Sequence, residues 1–356
     1  MNGVKMEETT YKNSLDELIR IAEEIPNTEM MAAAKISTLV VLNMRYEIIM
    51  LDRSLEQHPS RLVSNYIRDA ITTLNSWKEV VFIEAENKIV ASAKSEDMEQ
   101  FHNQLFQELW INFSDIEYEQ RIERYQKRLR INGIDNHWFN GLRCIDFGCG
   151  HGNFAHALIR EGADYVLGID FGERNIEYSL RARDQLEVPT HRLDFRVEDV
   201  YCVSEADDSF DFAIQNGVFH HLEDEDAAYG EVYRVLKPGG WFWIYTDGEG
   251  GISHDLWDAS AYILRDIPAL KILDLLDRIN VETGKRYHLG DGLNAIYRHT
   301  TWEALIRRLE HVGFGNFRRL VGGFPTDFDH DVIAEDRWGK EKFGSGDIRL
   351  LAQKMT

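Results

Sequence analysis

The stretch Cys144-Ile-Asp-Phe-Gly-Cys-Gly-His-Gly-Asn-Phe154 limits the fold more than any other part of this chain. Its apolar start reads as a buried strand, its end as the first turn of a helix, and between them stand Gly148, Gly150 and Gly152. Glycine reaches backbone angles closed to other residues and carries no Cβ, so such a loop lets backbone N–H groups approach a ligand. The spacing is D-x-G-x-G-x-G and differs from the G-x-G-x-x-G of a dinucleotide site. About one helix later, Tyr165-Val-Leu-Gly-Ile-Asp170 reads as a second buried strand, ending in a carboxylate able to take both hydroxyls of a ribose.

This pair resembles the nucleotide half of the class I S-adenosylmethionine-dependent methyltransferases, and the resemblance runs in order from roughly Trp138 to Lys354. It implies that Asp146, Gly148, Gly150 and Gly152 face the methionine part of the cofactor, that Asp170 holds the ribose, and that Phe171 lies against the adenine. Phe195-Arg-Val-Glu-Asp-Val200 looks like the third strand and its adenine turn, with Asp199 accepting from the amino group and the Val200 amide facing the ring. Phe210-Asp-Phe-Ala-Ile-Gln-Asn-Gly217 looks like the fourth strand and its lip, with Asn216 on the cofactor side. Leu236-Lys-Pro-Gly-Gly-Trp241 is similar to the turn before the fifth strand, continued by Phe242–Thr246. The implied fold is a doubly wound, seven-stranded Rossmann-like α/β sheet. The implied cofactor is S-adenosylmethionine, leaving as S-adenosylhomocysteine.

The lip Asn216-Gly-Val-Phe-His-His-Leu222 resembles the small-molecule branch of that family, around the ubiquinone and menaquinone methyltransferases, where a histidine stands at the place of His221. His221 is the candidate base or a polar wall of the acceptor pocket, and His220 a candidate beside it that fixes the loop. Tyr245, Asp247, His254, Trp257, Asp291, Asn294, Tyr297 and Arg298 are acceptor-pocket candidates by position. The Asn/Asp-Pro-Pro-Tyr motif of DNA and glutamine N-methyltransferases is absent. Glu223–Asp226 reads as acids at a helix N-terminus, favourable with its dipole. Asp327, Asp329, His330 and Asp331 read as solvated loop residues, and no metal is expected.

A net charge of −21 repels phosphate backbones and anionic lipid, so nucleic acid and membrane are not expected partners. The densest basic run, Arg121–Arg130, is interrupted by acids and reads as a solvated helix face. Cys144, Cys149 and Cys202 have neither metal nor disulfide spacing. Met1–Asn27 lacks the apolar segment of a signal peptide, and Lys35, Asn43, Arg45 and Glu47 interrupt the most apolar window, Met30–Leu51. These features fit a cytoplasmic enzyme.

Residues 1–137 read as a helical N-terminal accessory region. Its helices are expected over Tyr11–Glu24, Thr28–Leu55, Arg61–Trp77 and Glu96–Ile131, while Val80–Ile83 stays open between strand and helix. Its apolar stripe is read as core, with a homodimer surface as the alternative. Residues 138–356 read as the methyltransferase domain, with acceptor-pocket insertions near 251–299 and 324–345. Thr300 and Glu303 suggest a capping box for the helix Trp302–Val312, and Phe317–Val321 and Ile348–Gln353 the last two strands. Three functions stay open: methyl transfer to a small molecule, methylation of protein or RNA, and a non-catalytic cofactor-binding subunit. The intact Gly148, Gly150, Asp170 and Asp199 weigh against the third, and the acidic balance with the missing Pro-Pro motif against the second.

Overall fold

A computed structural model describes residues 2–80, 114–282, 286, 290, 293 and 296–356 of the chain. It divides into two compact units, one of Met1–Phe101, Gly250–Ala295 and Ile333–Gly344, the other of His102–Glu249, Ile296–Val332 and Ser345–Thr356.

The first unit is helical: α1 (Asn2–Glu23), α2 (Glu29–Leu51) and α3 (Pro59–Val80), joined by the inserted helices Gly251–Leu264 and Ala269–Arg278. Thr28 caps α2 by accepting from the Met31 amide at 3.3 Å, and Pro59 opens α3, where no N–H is required. Leu18, Met31, Leu42, Ile67 and Leu74 are among its buried residues. Lys35 is buried with them; its ammonium donates to the Ile25 carbonyl and to Asn27, and burial pushes it down to about 8. The insertion joins this core through Tyr11 to Asp255 (2.5 Å) and Asn43 to Ser260 (3.1 Å). The exposed faces of α1 and α3 are polar, with Asp16, Glu17 and Arg20 on one and Arg61, Asn65, Arg68 and Asp69 on the other. By contrast, α2 exposes Val41, Met44, Ile48 and Leu51. The expected α1 to α3 are all present; α2 stops at Leu51, four residues short of expectation, and residues 81–83 and 96–113 lie outside the described residues.

The second unit carries α4 (Asp115–Ile131), β1 (Arg143–Phe147), α5 (Asn153–Arg160), β2 (Tyr165–Asp170), α6 (Glu173–Gln185), β3 (Leu193–Val197), β4 (Phe210–Asn216), α7 (Glu225–Val235), β5 (Leu236–Asp247), α8 (Trp302–Val312), β6 (Phe314–Arg319) and β7 (Asp347–Lys354). The strands form the seven-stranded order β3-β2-β1-β4-β5-β7-β6. β1 to β5 run parallel, and β7 is antiparallel to both neighbours. Alternate residues point to opposite faces of a strand. Thus Ile145, Phe147, Ala213 and Phe242 share one buried cluster, while Cys144, Phe212, Ile214 and Trp243 share another with α4 and α5 residues such as Leu129 and Phe154. Strand order reverses between β1 and β4, and the carboxyl ends of strands at such a reversal are where open α/β sheets bind ligands.

Several local expectations need correction. The cap of α8 is Thr301, which accepts from the Ala304 amide at 3.1 Å, because the backbone of Thr300 is pinned to Asp247 and Glu249. The Leu236–Trp241 turn is the irregular start of β5, where the pairing with β4 shifts register. β6 begins at Phe314, three residues early, and is irregular between Gly315 and Arg318. The basic run is not wholly solvated: Arg128 is buried and donates to Asp327 at 2.6 Å. Nor are Asp327 and Asp329 solvated loop acids. Arg349, itself buried, holds both of them and Asp347, and Asp329 also accepts from the Gly322 amide.

Candidate functional site

The loop after β1 owes its shape to three glycines that differ in what surrounds them. A Cβ on Gly148 would meet Val218 at 2.6 Å, and one on Gly152 would meet the Phe195 ring at 2.5 Å, so both are required by packing. Gly150, at φ +52°, faces open space with nothing within 4 Å. Its amide donates to Oδ2 of Asp170 at 2.9 Å, while Oδ1 accepts from the Gly172 amide (2.8 Å) and the Asn175 side chain (3.1 Å). The carboxylate that ends β2 therefore holds the loop that ends β1. Three of its roughly four acceptor positions are taken, so a diol arriving there adds to these donors or replaces one. Burial raises the Asp170 carboxyl, and the hydrogen bonds from Gly172, Asn175 and Gly150 oppose it. Beside it Phe171 is 46% exposed.

Asp146, in β1, is buried, and its Oδ2 has no hydrogen-bond partner. Burial and then the charge of Asp170 push its carboxyl up to about 8. At the end of β3, Asp199 is exposed and accepts from the Tyr201 amide at 2.8 Å, with Val200 buried next to it. Asn216 ends β4 and accepts from the Trp243 indole at 3.4 Å. All nine cofactor-side residues thus stand in or just beyond the carboxyl ends of the adjacent strands β3, β2, β1 and β4.

The lip is a short 3-10 turn, Phe219–His221, held by Gln215 accepting from the Val218 and Phe219 amides. Nδ1 of His221 lies 2.9 Å from the Ile296 carbonyl, and its Nε2 lies 2.9 Å from Nε2 of His220. A carbonyl only accepts, so Nδ1 of His221 carries the hydrogen. Its Nε2 then accepts from Nε2–H of His220, whose Nδ1 accepts from the Thr246 hydroxyl at 3.2 Å. Burial pushes His220 down to about 4, keeping it neutral at physiological pH.

Tyr297 packs on both imidazoles, with ring centroids 4.7 Å from His220 and 4.9 Å from His221. Its hydroxyl donates to Asp247, which also accepts from Tyr245 at 3.0 Å. Tyr245 and Tyr297 thus meet at the lip through Asp247. Arg298 is exposed: its amide donates to the His220 carbonyl and its guanidinium to the Glu223 carbonyl. Asp291 and Asn294 lie outside the described residues, and His254 and Trp257 belong to the helical unit. The sequence reading missed Thr246 and Asn175. Asn175 was the more legible of the two, since it falls on the first turn of the helix that follows Asp170.

Comparison with known proteins agrees with this geometry. The "Methyltransferase domain" family matches residues 145–244. A ubiquinone biosynthesis O-methyltransferase of Paracidovorax citrulli is 31% identical over 183 residues, 51% of this chain and 72% of that protein. Its namesake in Sinorhizobium medicae is 35% identical over 106 residues, 30% of this chain and 41% of its own length. Sterol 24-C-methyltransferase erg6 of Aspergillus fumigatus is 35% identical over 113 residues, covering 30% and 29%. This chain therefore spans less than half the length of some curated relatives it matches. The glycine loop anchored on Asp170, the sheet order and the relative covered over more than two thirds of its length identify the chain as a member of the class I S-adenosylmethionine-dependent methyltransferases.

Proposed function

We propose that this chain transfers the methyl group of S-adenosylmethionine to a small-molecule acceptor. The observation that carries the reading is Gly150, open to the site on one side and tied through its amide to the acid that ends β2. The residues fit the cofactor of the family. Asp146 offers a buried carboxylate oxygen without a partner to a cationic amino acid moiety, Asp170 offers acceptors to ribose hydroxyls, and Phe171, Asp199 and Val200 offer an apolar face and polar edge to adenine. Gly148 and Gly152 keep the loop close, and Asn216 borders it from β4.

S-adenosylmethionine supplies an already activated methyl group, so the protein's work is to align the acceptor and, for a hydroxyl or amine, to remove a proton. His221 takes that proton on Nε2, its Nδ1–H being committed to Ile296. Uptake there breaks the contact with His220, which holds the imidazole in place beforehand. Tyr245, Tyr297 and Arg298, gathered at the lip, border the acceptor side. The names of the relatives support a small molecule but span both oxygen and carbon as methyl acceptors. The charge of −21 speaks against nucleic acid.

The helical region takes part as a homodimer surface. Val41, Met44, Ile48 and Leu51 are spaced three and four residues apart on the exposed side of α2, the spacing of a helix-pairing seam. No described helix is long and apolar enough to cross a membrane, and the enzyme is assigned to the cytoplasm. Calorimetry with S-adenosylmethionine and S-adenosylhomocysteine is expected to show micromolar binding, on the order of −8 kcal/mol. No heat from either ligand, or NADH binding in their place, rejects the reading.

A further inference from the structure

Besides Asp170 and the Ser179 hydroxyl, 2.9 Å from the Gly150 carbonyl, the glycine loop has an anchor that comes from α4. Tyr118, on the first turn of α4, is 5% exposed, and its hydroxyl donates to the His151 carbonyl at 2.7 Å. The same hydroxyl lies 3.1 Å from Nδ1 of His156, which is also 2.8 Å from the Gly152 carbonyl. A carbonyl only accepts, so Nδ1 of His156 carries a hydrogen and the phenol oxygen accepts from it while donating to His151. Around this bond the contacts are close. The His151 ring stacks on Tyr178 at 4.3 Å, Tyr178 packs on Tyr118 at 5.6 Å, and two turns along α4 Tyr125 stacks on Phe154 at 4.4 Å.

We propose that Tyr118 is a positioning residue for the cofactor loop, presetting the Gly150–Gly152 backbone. The reasoning rests on the proposed cofactor reading. Asp170 fixes the loop at the Gly150 amide, Ser179 reaches the Gly150 carbonyl, and Tyr118 fixes the next carbonyl, that of His151. Glycine-rich backbone has the most conformational freedom to lose, and holding it before the ligand arrives removes that loss from the binding step. Without the phenol hydroxyl the loop keeps its Asp170 anchor but samples other orientations of the 151–152 peptide, and the ligand then pays for ordering it.

The test is Tyr118→Phe in the full chain, which keeps the buried ring and removes one hydroxyl. The dissociation constant for S-adenosylhomocysteine, measured by calorimetry well below the melting midpoint, is expected to rise about 2- to 13-fold, the range of one neutral hydrogen bond. Amide exchange at Gly150–Gly152 of the ligand-free protein is expected to quicken. KM for the cofactor rises while kcat at saturation holds. Tyr125→Leu loosens the same helix without touching the His151 carbonyl and is expected to lower the melting midpoint while leaving the dissociation constant unchanged. Wild-type affinity and wild-type loop exchange in Tyr118→Phe, or equal affinity losses in the two variants, overturn the proposal. If the wild-type chain itself binds no S-adenosylhomocysteine, it is the cofactor reading that fails.

Discussion

Two loops leave neighbouring strands of one sheet and are built in opposite ways. In the loop after β1 the polar contacts closest to the ligand side come from nearby sequence, an acid about one helix after three alternating glycines and Asn175 five residues beyond it, with Tyr118, Phe195 and Val218 bracing the loop from further off. The lip after β4 is made from distant pieces. His221 is oriented by the carbonyl of Ile296, His220 by Thr246, and the Tyr297 that covers both is held by Asp247. A cofactor common to many proteins calls for a local structure that one short segment can encode. An acceptor particular to one enzyme is met by segments that only the fold brings together.

The comparison breaks most visibly at Gly150. Gly150→Val is expected to abolish cofactor binding, because the branched side chain occupies the open space while the protein loses only roughly 1–2 kcal/mol for the left-handed backbone. Calorimetry together with a melting curve checks it. An unfolded variant, or one that still binds, would show that the open space is not the ligand's.

The next largest effect belongs to the lip. His221→Ala is expected to lower kcat about 10²–10⁴-fold, the usual loss for a general base, with the affinity for S-adenosylhomocysteine nearly unchanged. Single-turnover rates measured alongside binding decide this. An equal loss of affinity would mean that the two loops are not separable. A small loss confined to KM would instead assign the acceptor to nucleophiles without a proton to give up.

Acid stability sharpens the comparison, because neutral buried imidazoles occur on both sides. Burial pushes His151 and His156 near the glycine loop, and His220 in the lip, down to about 4. Between that value and the roughly 6.5 of an unfolded chain, the unfolded state binds protons that the native state refuses. Stability is therefore lost as pH falls from about 6.5 to about 4, by up to roughly 3 kcal/mol per imidazole at 1.36 kcal/mol per pKa unit. Asp146 works in the other direction: its raised carboxyl loses stability as pH rises toward about 8. Thermal midpoints are expected to climb from pH 4.5 to 6.5 and then level or dip. A profile flat across the acid range would mean that these rings are protonated in the native protein.

The smallest expected effect is at Asp170. Asp170→Ala removes acceptors of the ligand and of the Gly150 amide together, and is expected to weaken S-adenosylhomocysteine binding by roughly 1.5–3 kcal/mol, as for hydrogen bonds to a charged group. A loss as complete as that in Gly150→Val would mean that the carboxylate acts mainly by shaping the loop. In that case Asp170→Asn, which keeps an acceptor for the Gly150 amide, should restore much of the binding.

By itself the sequence determined the strand–glycine–helix unit, the acid ending β2, the succession of the parallel strands along the chain and the helical nature of α1 to α3. Each of these rests on short-range physics: apolar periodicity, glycine's freedom at φ values such as the +52° of Gly150, and a cap three residues from the amide it accepts from. Register was less legible. β6 began three residues early and the cap of α8 fell one residue late, because a bulge and the backbone bonds of Thr300 were set by neighbouring strands. Burial was decided only by the tertiary structure. Arg128, Asp327, Asp329 and Arg349 look like surface charges in a linear chain, and they become a buried ion-pair network when α4, β7 and the loop after β6 converge. Breaking such a pair from one side typically costs about 3–5 kcal/mol. The protonation of the lip belongs to the same class. Which nitrogen of His221 carries its hydrogen depends on a carbonyl 75 residues away, a relation without periodicity or spacing in sequence and set wholly by the distance the fold imposes.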